Sequence, residues 1–171
     1  MKHVKIKIKL DDGATMPTRA TDGSVGYDVT CHKLYAVMAN GDRLDVYNED
    51  FIHRMIDADM GAIYWEAYTG VHITPADGYY IELVPNSRLA KTKLFYGNSI
   101  GIIDKDFTGC IRAVFNGTSE GWNIKDLVKI LPGMTIGQLI IRKKYDAVWE
   151  QVEELEQTER GNGGFGSTAK Q

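Results

Sequence analysis

The chain has 171 residues, 43% apolar and 25% charged, with a formal net charge of -3. That length and apolar share suit one globular domain with a substantial core, and the slightly acidic balance argues against duplex nucleic acid or an anionic membrane surface as a partner. No apolar run approaches bilayer-spanning length and Met1-Lys2-His3-Val4 lacks the apolar stretch of a secretory signal, so a soluble protein, cytoplasmic or otherwise intracellular, is expected.

Residues 4–10 alternate valine, isoleucine or leucine with lysine without a break. One apolar face and one lysine-coated face is what an edge strand needs to resist sheet-to-sheet pairing, and this reading outweighs a phosphate-binding role for the lysines. Ser24-Val25-Gly26-Tyr27-Asp28 then sets a glycine and a single carboxylate on an apolar strand. Asp11-Asp12-Gly13, Asn40-Gly41, Pro75-Ala76-Asp77-Gly78, Asn116-Gly117 and Pro132-Gly133 are turn signals between short apolar runs. Runs such as 78–84 and 137–141 read as strands, about ten in all, in a sandwich or barrel. Asn48 suits a helix cap, Glu49 and Asp50 its first turn, and Phe51, Ile52, Met55, Ile56, Met60 and Ile63 recur at helical spacing, which predicts a short helix over 49–59. Its stripe fits packing, with partner docking left open. Cys31 and Cys110 share no metal-binding spacing, so both are expected as free buried thiols.

Polar chemistry concentrates in the second half. Pro85-Asn86-Ser87-Arg88 ends a strand with amide, hydroxyl and guanidinium groups, the makings of either a phosphate cradle or an ordinary helix cap. Residues 98–109 place Asp104 between apolar residues at a hairpin tip, where a partly desolvated carboxylate can act on water; a plain β-turn holds the same letters. Gln138 is a single polar side chain on the apolar run after Gly137. Residues 160–168 carry four glycines in nine positions. They are either a mobile tail or a segment that closes over a ligand, with Arg160, Ser167 and Thr168 as donors to phosphate oxygens and Phe165 stacking on a flat ring.

In this order, the stretches at 20–28, 85–90, 98–109, 132–140 and 160–168 resemble the five motifs of the trimeric dUTP pyrophosphatases, the dUTPases, over nearly the whole chain. The resemblance implies an all-β distorted jelly roll or β-barrel over residues 1–155 and a flexible glycine-rich arm over 156–171. The segment 47–69, which holds the helix read above from its spacing, is itself a departure, longer than the compact family core needs and open to a trimer, regulatory or partner-binding role. The resemblance implies a homotrimer with three shared sites that hydrolyses dUTP to dUMP and pyrophosphate with Mg²⁺, keeping uracil out of DNA and supplying dUMP for thymidylate synthesis. In such a site Asp104 would bind the 3′-hydroxyl and orient or deprotonate the attacking water. The Asn98 amide and the backbone of Gly101, Ile102 and Ile103 would pair with uracil, Arg112 would contribute main chain, and Phe107 would pack on the deoxyribose and exclude a 2′-hydroxyl. Ser87 and Gln138 would contact phosphates and Asp28 would reach the metal through water. From the arm, Arg160, Ser167 and Thr168 would hold the β- and γ-phosphates, with Phe165 over the base next to Gly166.

Three positions depart from the patterns of related proteins. Asn86 stands where the second motif commonly has arginine, and Arg88 supplies a guanidinium two positions later. Phe107 stands where tyrosine is usual, which keeps the sugar-packing ring. Val114 occupies the place where the related dCTP deaminases carry a catalytic glutamate, which disfavours deamination. A noncatalytic dUTPase-like nucleotide-binding or regulatory protein is the rival of another class: Asn86 leaves it open, while Asp104 and the arm argue against it.

Overall fold

Short apolar runs that alternate with polar residues and stop at glycine turns build eleven strands in the computed structural model, which describes residues 3–47, 62–91, 94–117 and 132–163. They are β1 (Lys7–Leu10), β2 (Tyr27–Thr30), β3 (Lys33–Met38), β4 (Arg43–Asp45), β5 (Ala62–Tyr68), β6 (Val71–Thr74), β7 (Tyr79–Val84), β8 (Leu94–Tyr96), β9 (Gly101–Ile103), β10 (Arg112–Gly117) and β11 (Thr135–Lys143). A 3₁₀ turn at Leu89–Lys91 is the only helical element among the described residues. The helix predicted over 49–59 lies outside them.

The strands form a five-stranded sheet ordered β4-β3-β5-β10-β8, a four-stranded sheet ordered β2-β11-β7-β9 and a two-stranded ribbon of β1 and β6. All pairings are antiparallel, and neighbours distant in sequence, such as β2 with β11, give the crossovers of a jelly roll. The sheets stay open, so the jelly-roll half of the expected architecture holds and no closed barrel forms among the described residues. The lysine-coated run becomes β1, which among the described residues pairs only with β6 and exposes Lys7 and Lys9. Asn116-Gly117 is a strand end rather than a turn: the two residues pair with Phe95 and Leu94, because backbone pairing with β8 overrides a weak dipeptide signal.

One buried cluster takes Leu34, Trp65 and Phe115 from the five-stranded sheet, Val29, Ile81, Leu83 and Leu139 from the four-stranded one and Ile73 from the ribbon. Burying such a side chain contributes roughly 1.5–3 kcal/mol each. Cys31 sits in this core, and burial pushes its thiol up to about 11 against a weak opposing hydrogen bond with Tyr47. Both cysteines are free thiols, as expected, with Cys110 only half-buried. Glu66 is a buried carboxylate the sequence did not flag. Arg43 Nε donates to it at 2.8 Å and the Tyr68 hydroxyl at 3.1 Å, with Arg112 Nε at 3.8 Å. Burial alone would raise this carboxyl, but the bonds from Arg43 and Tyr68 and the charge of Arg112 outweigh it, holding the group below its ordinary range. Among the described residues no helix is long and apolar enough to cross a membrane.

Candidate functional site

Antiparallel pairing of β2 with β11 sets Asp28 directly opposite Gln138, and the Gln138 Nε2 donates to Asp28 Oδ1 at 2.7 Å. Gly26 makes room for that amide: a Cβ at position 26 would lie 2.9 Å from both Gln138 Cβ and Oε1. The bond engages one carboxylate oxygen, and Asp28 stays partly exposed on the outward face of the sheet. An oxygen donor with solvent beside it suits Mg²⁺, which keeps several of its waters.

Gln138 also pairs with Val84 on β7, after which the chain turns at Pro85. Here the cap reading of the sequence is realised. Asn86 Oδ1 accepts from the Leu89 N–H at 3.1 Å, closing the 3₁₀ turn, and its Nδ2 donates to the Thr135 carbonyl at 3.4 Å. The Asn86 side chain is thus committed to backbone and ties the second motif to β11. Ser87 and Arg88 stand exposed at the same turn.

The third motif lies along the other side of β7. Gly101, Ile102 and Ile103 pair with Leu83, Glu82 and Ile81, which makes β9 the outermost strand of its sheet. Asn98 hangs over Gly101, whose missing Cβ would lie 3.6 Å from Asn98 Nδ2. The bend before β9 is fixed by Ser99, at φ 60, and by the bond from Ile100 N–H to Asn98 O at 2.6 Å. After β9 the Phe107 N–H donates to Asp104 O at 3.2 Å, and the Phe107 ring folds over Gly109. Asp104 is exposed and lines an open depression with Tyr79, Tyr80, Lys105, Asp106 and Lys144. The desolvation foreseen at this tip does not arise within a single chain. Arg112 turns its side chain away from this motif, with Nη1 donating to the Tyr68 hydroxyl at 2.9 Å.

The predicted residues therefore form two groups. Asp28, Gln138, Asn86, Ser87 and Arg88 gather where β2, β11 and the end of β7 meet; Asn98, Gly101, Ile102, Ile103, Asp104 and Phe107 follow β9. Gln138 pairs with Val84, whereas Asp104 follows Ile103, the partner of Ile81. That is about four residues along the sheet, roughly 13 Å, and two strand spacings of about 4.8 Å across it. Arg160 Nε donates to the Gly163 carbonyl at 2.9 Å in a segment after β11 with no regular structure. Phe165, Gly166, Ser167 and Thr168 lie outside the described residues.

A family model described as dUTPase matches residues 58–169. The deoxyuridine 5'-triphosphate nucleotidohydrolase of Paramecium bursaria Chlorella virus 1 is 33% identical over 162 residues, 94% of this chain and 94% of its own. That of Fusobacterium nucleatum is 29% identical over 172 residues, 99% of this chain and all of its own. Among solved structures, the Staphylococcus bacteriophage 80alpha dUTPase with dUPNHPP superimposes with a TM-score of 0.64 at 21% identity, covering 95% of this chain and 97% of that one, a likeness of fold.

Proposed function

The chain belongs to the dUTPase family and is an enzyme that hydrolyses dUTP, and we propose that a water held by Asp104 attacks the α-phosphorus to give dUMP and pyrophosphate. The observation that carries the reading of the site is the Gln138–Asp28 hydrogen bond, formed across 110 positions of sequence beside the Ser87 turn. It leaves the second N–H of the Gln138 amide to meet a phosphate oxygen, with the Ser87 hydroxyl and the Arg88 guanidinium as further donors. Asn86 acts here by holding the turn. Asp28 fits Mg²⁺ reached through water, and the bound ion would neutralise triphosphate charge and polarise the phosphoryl oxygens.

The other half of the reaction belongs to the β9 segment. Among the described residues β9 has a strand neighbour on one side only, which leaves the other side of its backbone available to the edge of a flat base. A cytosine would present a donor where uracil presents an acceptor, and one mismatched buried polar group costs about 1–3 kcal/mol. The Phe107 ring packs on the sugar and leaves no room for a 2′-hydroxyl. Asp104 receives the proton of the attacking water as the new oxygen–phosphorus bond forms and the bond to the β-phosphate oxygen breaks. The arm, through Arg160, Phe165, Gly166, Ser167 and Thr168, closes over base and phosphates and excludes other waters.

Two features support a homotrimer with shared sites. The separation of Asp104 from Gln138 keeps them from serving one α-phosphate within a chain. Beyond β11, Val148 and Trp149 are 99% and 92% exposed, apolar surface of the kind a neighbouring subunit covers.

The direct test incubates the protein with Mg²⁺ and, separately, dUTP, dCTP, dTTP and UTP, following products by chromatography. Conversion of dUTP alone to dUMP and pyrophosphate is expected. Asp104→Asn should lower kcat by about 10²-fold or more. Binding of dUTP without turnover would leave the regulatory reading in its place.

A further inference from the structure

Asp11, His72 and Cys110 come from three distant parts of the chain and meet where the β1–β6 ribbon passes the end of the third motif. One ligand-capable atom of each lies within 4.8 Å of the others. The backbone places all three: the Asp11 N–H donates to Gly70 O at 2.8 Å, His72 pairs with Lys9 across the ribbon, and Ile111, next to Cys110, donates its N–H to Val71 O at 2.8 Å. His72 lies on β6 beside the buried Val71.

The imidazole is the telling group. Its Nδ1 lies 3.1 Å from the Thr108 carbonyl, which can only accept, so Nδ1 carries a proton. Its Nε2 lies 3.1 Å from Asp11 Oδ1, also an acceptor when ionised. Nε2 and Asp11 Oδ1 thus face each other as two potential ligand atoms, with the Cys110 sulfur beside them. Metal-ligating histidines characteristically donate their other ring N–H to a carboxylate or backbone carbonyl, as His72 does to Thr108.

We propose that Asp11, His72 and Cys110 form a binding site for a divalent transition-metal ion, Zn²⁺ by its ligand set, with a fourth position open to water. Carboxylate oxygen, imidazole nitrogen and thiolate sulfur together suit zinc, whereas Mg²⁺ takes oxygen. The thiolate and carboxylate balance the charge of the ion. Lys7 and Lys9, which line a depression of about 390 Å³ beside His72 and Thr108, therefore do not oppose it. Reaching tetrahedral spacing, about 3.5 Å between ligand atoms, requires the Cys110 side chain to turn from the Ile111 carbonyl that its thiol meets at 3.4 Å. The bound ion cross-links the ribbon to the Thr108–Cys110 segment, and the site is separate from the Asp28–Gln138 group.

The test uses the whole chain, stripped with chelator and free of nucleotide. Zn²⁺ is titrated against a chromophoric competitor, and Co²⁺ is followed by visible spectroscopy. Binding of about one ion per chain, a thiolate-to-cobalt charge-transfer band and a rise in Tm are expected. Cys110→Ser should abolish the band and, like His72→Ala, weaken Zn²⁺ binding by about tenfold or more, while Asp28→Asn keeps both. Circular dichroism confirms that each variant is folded, and Cys110→Ser, a near-isosteric change at a half-buried position, serves if His72→Ala does not fold. No uptake by the folded wild-type chain, or uptake that survives in folded Cys110→Ser without change in affinity, would overturn the proposal and leave His72 and Asp11 as a simple side-chain pair.

Discussion

Gly137 shows how little room the fourth-motif strand leaves. A Cβ there would lie 2.1 Å from the Tyr96 hydroxyl and 2.8 Å from the Val84 carbonyl oxygen, and that hydroxyl already donates to the Ile136 carbonyl at 2.9 Å inside the core. Overpacking of a filled site costs about 1–3 kcal/mol, so Gly137→Ala should lower the urea midpoint by a corresponding amount. Because Gln138 is the next residue, the same change should raise KM for dUTP. Glu66 gives a pH-dependent counterpart. Its folded pKa is depressed, so its charge contributes stability above the ordinary carboxylate range, and that contribution is lost as pH falls through the folded value. Wild-type stability should therefore decline below about pH 4, and Glu66→Gln should flatten that acid limb in urea titrations at stepped pH. At pH 7 the variant should be less stable by about 1–3 kcal/mol, since two guanidiniums lose their shared negative charge and one of the two acceptor oxygens becomes an N–H donor facing them.

At the scale of elements, the turn after β7 separates two roles that the sequence could not. Asn86 caps the 3₁₀ turn and bonds the Thr135 carbonyl, while Arg88 projects from the same turn. Asn86→Ala should thus cost about 1 kcal/mol of stability by thermal unfolding, the usual loss for a cap. Arg88→Ala should leave Tm unchanged and lower kcat/KM for dUTP by about tenfold or more, the worth of one hydrogen bond to a charged phosphate. An equal effect of both changes on kcat/KM would put Asn86 on the substrate instead. What the sequence made legible is local pattern: the lysine-lined edge strand, the strands around 78–84 and 137–141, and five stretches in a fixed order. It left Asn86 between cradle and cap because both use the same amide, and only the position of Thr135 decides between them. It misread Asn116-Gly117, whose strand state depends on Phe95 and Leu94 as partners. The Glu66 pair and the Asp11–His72–Cys110 cluster were invisible, since their members are brought together by strand order and follow no spacing rule.

At the scale of the molecule, the question is whether one chain can complete a site. Asp104 lies near the Tyr79–Tyr80 end of β7, and Gln138 pairs at the Val84 end, so in the trimer proposed above the carboxylate assigned to the water comes from one subunit and the amide assigned to the phosphates from another. This predicts complementation. Asp104→Asn and Gln138→Ala chains should each show greatly reduced turnover alone, yet the two mixed in equal amounts and allowed to reassociate should regain activity. In such a mixture a site that draws Asp104 from the Gln138→Ala chain and Gln138 from the Asp104→Asn chain is intact. With random assortment in a closed ring of identical interfaces, each choice has a chance of one half, so about one quarter of sites recover wild-type rate. If both residues served the same site from one chain, every site would keep one lesion and mixing would restore nothing, so the recovered fraction measures directly how the catalytic groups are divided among subunits.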